Sequence, residues 1–347
     1  MARVHVLSAA PSDRDASPHG HDELDKLLEL ARLDRFGAHT LVDDPGDADL
    51  VLFVESNTEA GPYFERVVRS ETYRHWRAKS YLYSSYDRIV PVLPGVFPSV
   101  ERSWYLAAWT RSGGYLGVRE TDDLHFEPDD GAPRPHLYSF IGSSATHPVR
   151  RELVKSAHPG ALVIDTAGEG AGYAVPANRD RYRSSIASSD FVLCPRGGGA
   201  ASFRLFETMM LGRCPVIISD QWVPPGGPAW HELSIRVAEG DVGRLAALLE
   251  PRRAEAARMG EAAREAWVDW FSETATFHRV VEWCLELDRF RADRTGMSRY
   301  RPYVQLLRPY HSARYAARRV GHGSSWRIPR PSEVGAALQR RRRKRAA

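Results

Sequence analysis

The sequence predicts an α/β chain of two Rossmann-like halves facing a cleft, each built on a parallel sheet. Three observations point there. Short apolar runs bounded by turn residues alternate with segments of helical period on both sides of residue 130. A charged, proline-rich stretch over 119–135 divides the chain. A length of 347 residues strains a single core, so two domains are expected. The boundaries read as 1–132, 133–285, and a C-terminal stretch of helices and basic tail over 286–347.

In chain order, 3–9 is a short apolar strand. Leu24, Leu27, Leu28, Leu30, Ala31 and Leu33 then recur at helical spacing, and Gly37 ends that helix. Thr40-Leu41-Val42 is a second strand, and 49–54 is an apolar run of the fully buried type. The 59–79 segment predicts an amphipathic helix, and 80–90 is mixed. Pro91, Pro94 and Pro98 make 91–98 a loop or edge segment. In the second half, strands at 136–141, 161–164, 191–194 and 215–218 alternate with helices at 149–156, 182–188 and 202–211. From Val242 the pattern is helical, through 254–271 and 277–290.

Composition narrows the function classes. With 43% hydrophobic and 27% charged residues, disorder, collagen and coiled coil are excluded. No run of about 18 apolar residues occurs, so no transmembrane helix is expected. The first residues lack the apolar core of a signal peptide. Three cysteines, Cys194, Cys214 and Cys284, do not make a disulfide framework, and together these features predict a cytoplasmic protein. The net charge of +4 hides an asymmetry: residues 289–347 hold 17 basic and two acidic groups, leaving an acidic body. That tail reads as a contact for anionic membrane, a nucleic-acid arm or a solubilising segment. Tyr303, Tyr310, Tyr315, Leu306 and Leu307 lie among five arginines over 301–320, as in a helix on a membrane surface. Nucleic-acid binding is not expected as the main function, because the body is acidic and carries no recognition motif.

Chemistry concentrates in one segment. Phe191-Val192-Leu193-Cys194 is a buried strand, Gly197-Gly198-Gly199 a loop, and Ser202 and Arg204 lie in the first turn of the following helix. Such a loop lets phosphate approach backbone N–H groups, and the helix N-terminus adds positive potential. Arg196 and Arg204 each offer a planar fork to diphosphate oxygens. Glu207, one turn on, can accept from ribose hydroxyls or pair with Arg204. The same residues also suit a flexible turn with a surface ion pair.

Cys-Pro-Arg-Gly at 194–197, Arg-Leu-Phe-Glu at 204–207, Gly-x-x-Pro-Val-Ile-Ile-Ser-Asp at 212–220 and Trp-x-x-Leu-Ser-Ile at 230–235 resemble the exostosin-like glycosyltransferase family. Phe140-Ile141-Gly142 followed by Arg150 resembles the family's opening of the donor half, and 92–99 its proline-rich acceptor segment. The likeness covers about 136–240 strongly, 80–100 weakly, and neither the first 75 residues nor the tail. It implies a GT-B fold and a nucleotide-sugar donor, UDP-linked first and GDP-linked next. It also implies inversion at the anomeric carbon, with no obligatory metal or cofactor. The acceptor is then a glycan, a glycolipid or a small molecule. Residues 1–132 become the acceptor side and 133–285 the donor side. Arg196, Arg204 and Glu207 match the donor-site motif; Gly142 and Ser143 match the loop facing the diphosphate, and Ser219 and Asp220 lie near the nucleotide edge. The glycine triplet departs from the family, whose members often carry larger residues there, and leaves room for an unusual donor or acceptor.

Metal-free inversion needs a base to take the acceptor proton and cationic groups to hold the leaving diphosphate. Glu55, directly after the buried 49–54 strand, and Asp87 are the candidate bases; each equally suits a cap or an ion pair. Asp13-Arg14-Asp15 and Asp47-Ala48-Asp49 have metal spacing but lie in polar segments, and His19-Gly20-His21 reads as loop. The clusters Tyr81, Tyr83, Tyr86 and Trp104, Tyr105, Trp109 suit sugar stacking or core packing. The rival functions are a nucleotide-binding module without turnover and an adaptor driven by the basic tail.

Overall fold

The computed structural model describes residues 1–13, 19–55, 64–87, 89–121, 124–127, 134–168, 176–295, 298 and 301–304. Two parallel sheets carry it. The first holds β1 (Ala2–Leu7), β2 (His39–Leu41), β3 (Leu50–Val54), β4 (Ser80–Tyr83), β5 (Gly95–Val96) and β6 (Thr110–Arg111), in the order β2-β1-β3-β4-β5-β6. The second holds β7 (His136–Gly142), β8 (Leu162–Asp165), β9 (Ser189–Pro195), β10 (Cys214–Ile218) and β11 (Ile235–Val237), in the order β11-β10-β9-β7-β8. All pairings within both sheets are parallel. This is the α/β organisation of two parallel sheets that the sequence predicts.

Helices cover the sheets as the periodicity requires. In α1 (Asp22–Arg32), Leu27 and Leu30 are buried, and acids in the first turn with Arg32 in the last match the helix dipole. The predicted 59–79 helix is instead two short ones, α2 (Glu65–Arg69) and α3 (Glu71–Trp76). Ser70 separates them with extended backbone and caps the second by accepting from Tyr73 N–H; residues 56–63 lie outside the described residues. The mixed segment supplies β4, and the proline-rich one supplies β5. The second half adds α4 (Pro148–Lys155), α5 (Pro176–Ala187), α6 (Phe203–Met210), α7 (Trp230–Leu233), α8 (Leu245–Leu249), α9 (Ala256–Trp270) and α10 (Thr276–Asp288).

The last two helices bind the halves together. Helix α9 packs on α6, α7 and β10, whereas α10 packs on α1, β5 and β6 of the first sheet. Arg111 Nε meets Glu286 at 3.0 Å, and Tyr81 hydroxyl donates to Asp288. One apolar core runs from Val4 and Leu52 through Phe206 and Ile217 to Trp283. A second core lies within the second half, around Phe191, Val216 and Leu249. Tyr81, Tyr83, Trp104 and Trp109 are buried in this packing and not presented as sugar platforms. The three cysteines are free and buried.

Each sheet has one place where the chain reverses its direction of winding. From β1 it goes to β2 on one side and β3 on the other; from β7 it goes to β8 and then to β9. Crevices outside the carboxyl ends of β1/β3 and β7/β9 are therefore the places where such sheets receive ligands. Among the described residues, no helix is long and apolar enough to cross a membrane. Most of the 301–320 segment and the 340–345 basic run lie outside the described residues.

Candidate active site

Two guanidiniums converge on the β7/β9 crevice. Arg150, in the first turn of α4, donates from Nε to Arg196 O and from Nη2 to Pro195 O, each at 3.0 Å. Arg204, in the first turn of α6, donates from Nη2 to the Ile141 carbonyl. Both lie over the Phe140 ring, at 5.6 Å and 4.7 Å from its centroid, and Arg204 also lies over Tyr182 at 5.5 Å. The two arginines thus clasp the ends of β7 and β9 through carbonyls and an aromatic face. Among the described residues neither forms an ion pair, and Arg204 Nε is buried with no hydrogen-bond partner. Burial, then the Arg204 charge, pushes Arg150 down to about 10, with Asp87 opposing. The opposing charges nearest in effect are Asp87 on Arg150 and Glu207 with Arg204.

The loops around them are tightly built. At Gly142 a Cβ would stand 2.9 Å from Arg204 Nη2, so the glycine admits that guanidinium. Ser143 opens a single 3-10 turn by accepting from Ala145 N–H. Asp165, at the end of β8, accepts from Ser144 N–H and hydroxyl at 2.9 Å and 2.6 Å, which holds its carboxyl below the usual range. Gly197 is buried and Gly198 half-buried, and a Cβ on Gly197 would stand 3.1 Å from Arg150 Nη2. Ser202 is the N-cap of α6 and makes no side-chain cap bond. Glu207 accepts from the Tyr182 hydroxyl at 2.6 Å, and burial pushes its carboxyl up. Ser219, at the end of β10, is buried with its hydroxyl unpartnered among the described residues. Asp220 and Glu239 exchange backbone-to-carboxylate bonds at 3.1 Å and 3.2 Å.

Arg196 has a different place from the expected diphosphate fork. Its side chain is 7% exposed and pairs with Glu101, itself 2% exposed, at 2.9 Å. Glu239 lies 3.9 Å away on the other side. Around that pair the 101–104 segment docks onto the second half: Glu101 bridges Trp222, and Arg102 N–H donates to Gln221 O at 2.7 Å. The glycine triplet also differs from expectation. A Cβ on Gly199 would meet Ser99 Oγ at 2.5 Å, Asp87 Oδ1 at 2.6 Å and Asp87 O at 2.8 Å. That space is filled by the first half and is not left for a donor.

Asp87 is thereby pressed against the glycine loop. Ser99 hydroxyl donates to it at 3.3 Å and shares 2.7 Å with the Tyr115 hydroxyl. The Tyr115 ring stacks on Phe203, the first residue of α6, at 3.9 Å. Glu55 lies elsewhere, at the β1/β3 crevice. It is 1% exposed; Ala9 N–H donates to it at 2.6 Å and Ser8 hydroxyl lies at 3.4 Å. Burial, opposed by those two bonds, pushes its carboxyl up to about 7. Sequence reading missed Glu101, Tyr115 and Tyr182 as parts of the site, since their roles arise from contacts distant in sequence. Of the residues at candidate metal spacings, Asp49 pairs with Arg3 at 3.0 Å and His19 with Asp22 at 3.0 Å. Arg14 and Asp15 lie outside the described residues.

Comparison with known proteins follows the same segment. Residues 126–251 match the family model of the exostosin GT47 domain. An Arabidopsis thaliana protein described as "Probable glucuronoxylan glucuronosyltransferase IRX7" is 46% identical over 71 residues, 20% of this chain and 16% of its own length. The exostosin-1 homolog of Caenorhabditis elegans is 37% identical over 93 residues, 26% of this chain and 24% of its own. The chain thus spans no more than about a quarter of these curated relatives. Among solved structures, Acinetobacter baumannii MurG aligns over 82% of this chain and 100% of its own, at 11% identity and a TM-score of 0.37. Anabaena HepE in complex with UDP aligns over 81% and 99%, at 12% identity and a TM-score of 0.38.

Two outcomes are expected from this geometry. Glu101→Gln removes the close partner of the buried Arg196 charge and leaves it only Glu239 at 3.9 Å, and costs roughly 3 kcal/mol of stability in urea unfolding at neutral pH. Glu55 binds its proton more tightly folded than unfolded. Its contribution therefore falls as pH rises from the ordinary 4.5 to about 7 and stays flat above. Between pH 4.5 and pH 8 the wild type should lose roughly 3 kcal/mol relative to Glu55→Gln. Parallel pH-stability curves for the two proteins would contradict this.

Proposed function

We propose that the chain, which carries an exostosin GT47 domain over residues 126–251, is a glycosyltransferase that moves a sugar from a nucleotide diphosphate to a hydroxyl. The observation that carries this reading is the pair Arg150 and Arg204. They are clasped at the β7/β9 switch point, without an ion-pair partner among the described residues, beside the start of α6. The diphosphate lies against these two guanidiniums. Glu207 and the buried Ser219 hydroxyl are left for ribose or base. Relatives named probable glucuronosyltransferases match this chain over 71 residues, which favours a nucleotide-linked hexose or hexuronic acid. UDP is the first nucleotide to test and GDP the next.

In the proposed reaction the acceptor occupies the β1/β3 crevice. Glu55 takes the proton of its hydroxyl. The resulting oxygen nucleophile forms a bond to the anomeric carbon from the face opposite the nucleotide. The bond from that carbon to the diphosphate oxygen breaks, the electron pair stays on the diphosphate, and configuration inverts. Arg150 and Arg204 hold the growing negative charge, so the step is drawn without a metal. A base whose pKa lies near the working pH suits proton abstraction at neutrality. Asp87, fixed by Ser99 against Gly199, positions the glycine loop.

Calorimetry with UDP in chelator should show Arg204→Ala and Glu207→Ala weakening binding at least about tenfold, in variants that circular dichroism shows to be folded. One charge-assisted bond is worth about 1.5–3 kcal/mol. Wild-type-like binding by both variants would remove this donor site. Glu55→Gln should abolish transfer, or slow donor hydrolysis, while UDP binding stays intact. If turnover survives, the base is elsewhere and Asp87 becomes its candidate.

A further inference from the structure

Away from both crevices, one group of side chains has the composition of a metal centre. His39 is the first residue of edge strand β2, and its side chain is fully buried. His278 and Glu282 stand one turn apart on α10, on the same helix face. His39 Nε2 lies 3.1 Å from Glu282 Oε1, and the rings of His39 and His278 are 4.9 Å apart. One ligand atom from each residue falls within 4.8 Å of the others. Neither ring nitrogen of His39 makes a hydrogen bond among the described residues, and His278 Nδ1 is likewise buried without one. Buried polar atoms are nearly always satisfied, so a His278 Nδ1 without a bond and a His39 Nε2 held only by a carboxylate contact ask for a partner.

We propose that His39, His278 and Glu282 form a divalent transition-metal site, best matched by Zn²⁺, that fastens edge strand β2 to helix α10. Two imidazoles and one carboxylate are the donor types zinc takes, whereas calcium and magnesium require oxygens throughout. A tetrahedral ion with arms of about 2.1 Å spaces its ligand atoms about 3.4 Å apart. The His39–Glu282 pair is already near that spacing. His278 and Glu282 are partly exposed, so rotation of their side chains closes the remainder. Phe36 stacks on His278 at 4.1 Å. Water supplies the fourth position on the open side, where Glu282 is 44% exposed. Asp34 adds negative potential; Arg279 and the N-terminal amine oppose it. The clip would tie the first sheet's edge to the helix that also packs on β5 and β6.

The test uses the untagged full chain, stripped with chelator and then dialysed with ZnCl₂ or CoCl₂. Elemental analysis should return close to one zinc per chain, with a higher Tm than the stripped protein. Cobalt should give the intense visible absorption of a four-coordinate site. His278→Gln and Glu282→Gln, checked by circular dichroism, should each weaken retention at least tenfold and lose the Tm rise. If a variant fails to fold, the wild-type cobalt spectrum decides alone. Weak octahedral absorption, no retained metal, or retention unchanged in folded variants would overturn the proposal and leave an ordinary His–Glu ion pair.

Discussion

Arg150 and Arg204 repel each other, yet the fold brings both to the same aromatic ring. Everything at the β7/β9 crevice follows from how that repulsion is held. The Pro195, Arg196 and Ile141 carbonyls take their N–H groups, and the Phe140 face takes their charge. Those carbonyls are the ends of β7 and β9 and the start of the glycine loop. The cationic pair and the strand ends are therefore one structure, and neither can shift alone. Gly142 and Gly197 border it because side chains there would press on the guanidiniums. A site assembled at this electrostatic cost is pre-organised for negative charge.

The same loop joins the two halves. Arg196 turns away from the crevice to pair with Glu101, while Gly199 admits Asp87 and Ser99. A buried ion pair of this kind is strongly destabilising to break, though it adds little net stability over a well-packed apolar contact. Its use here is register: it fixes the 101–104 segment against Gln221 and Trp222, so the first half meets the glycine loop in one position. Tyr115 on Phe203 extends that fit to the first turn of α6.

Much of this was readable in the residues. The buried strands at 49–54, 191–194 and 215–218 announce themselves because parallel strands covered on both faces are continuous apolar runs. Arg204 and Glu207 were found because helix spacing puts them beside the glycine loop. Arg150 and Gly142 came only from family resemblance, since Arg150 acts on carbonyls more than 40 residues away and Gly142 makes room for the distant Arg204 guanidinium. β4 and β5 were hidden, one in mixed sequence and one among prolines; both are short and gain their status from neighbours. Arg196 looked like a phosphate ligand because its partner, Glu101, lies 95 positions earlier. The elevated Glu55 carboxyl is a product of burial, which no local motif encodes.

The central claim is that a nucleotide diphosphate is bound by the chain's own cationic groups at the β7/β9 switch point. The most direct measurement is calorimetry of the wild-type chain with UDP and with uridine, each in EDTA and in Mn²⁺. UDP should bind in EDTA, uridine should bind far more weakly, and Mn²⁺ should change neither result much. UDP binding no tighter than uridine, or UDP binding only with Mn²⁺, would contradict it.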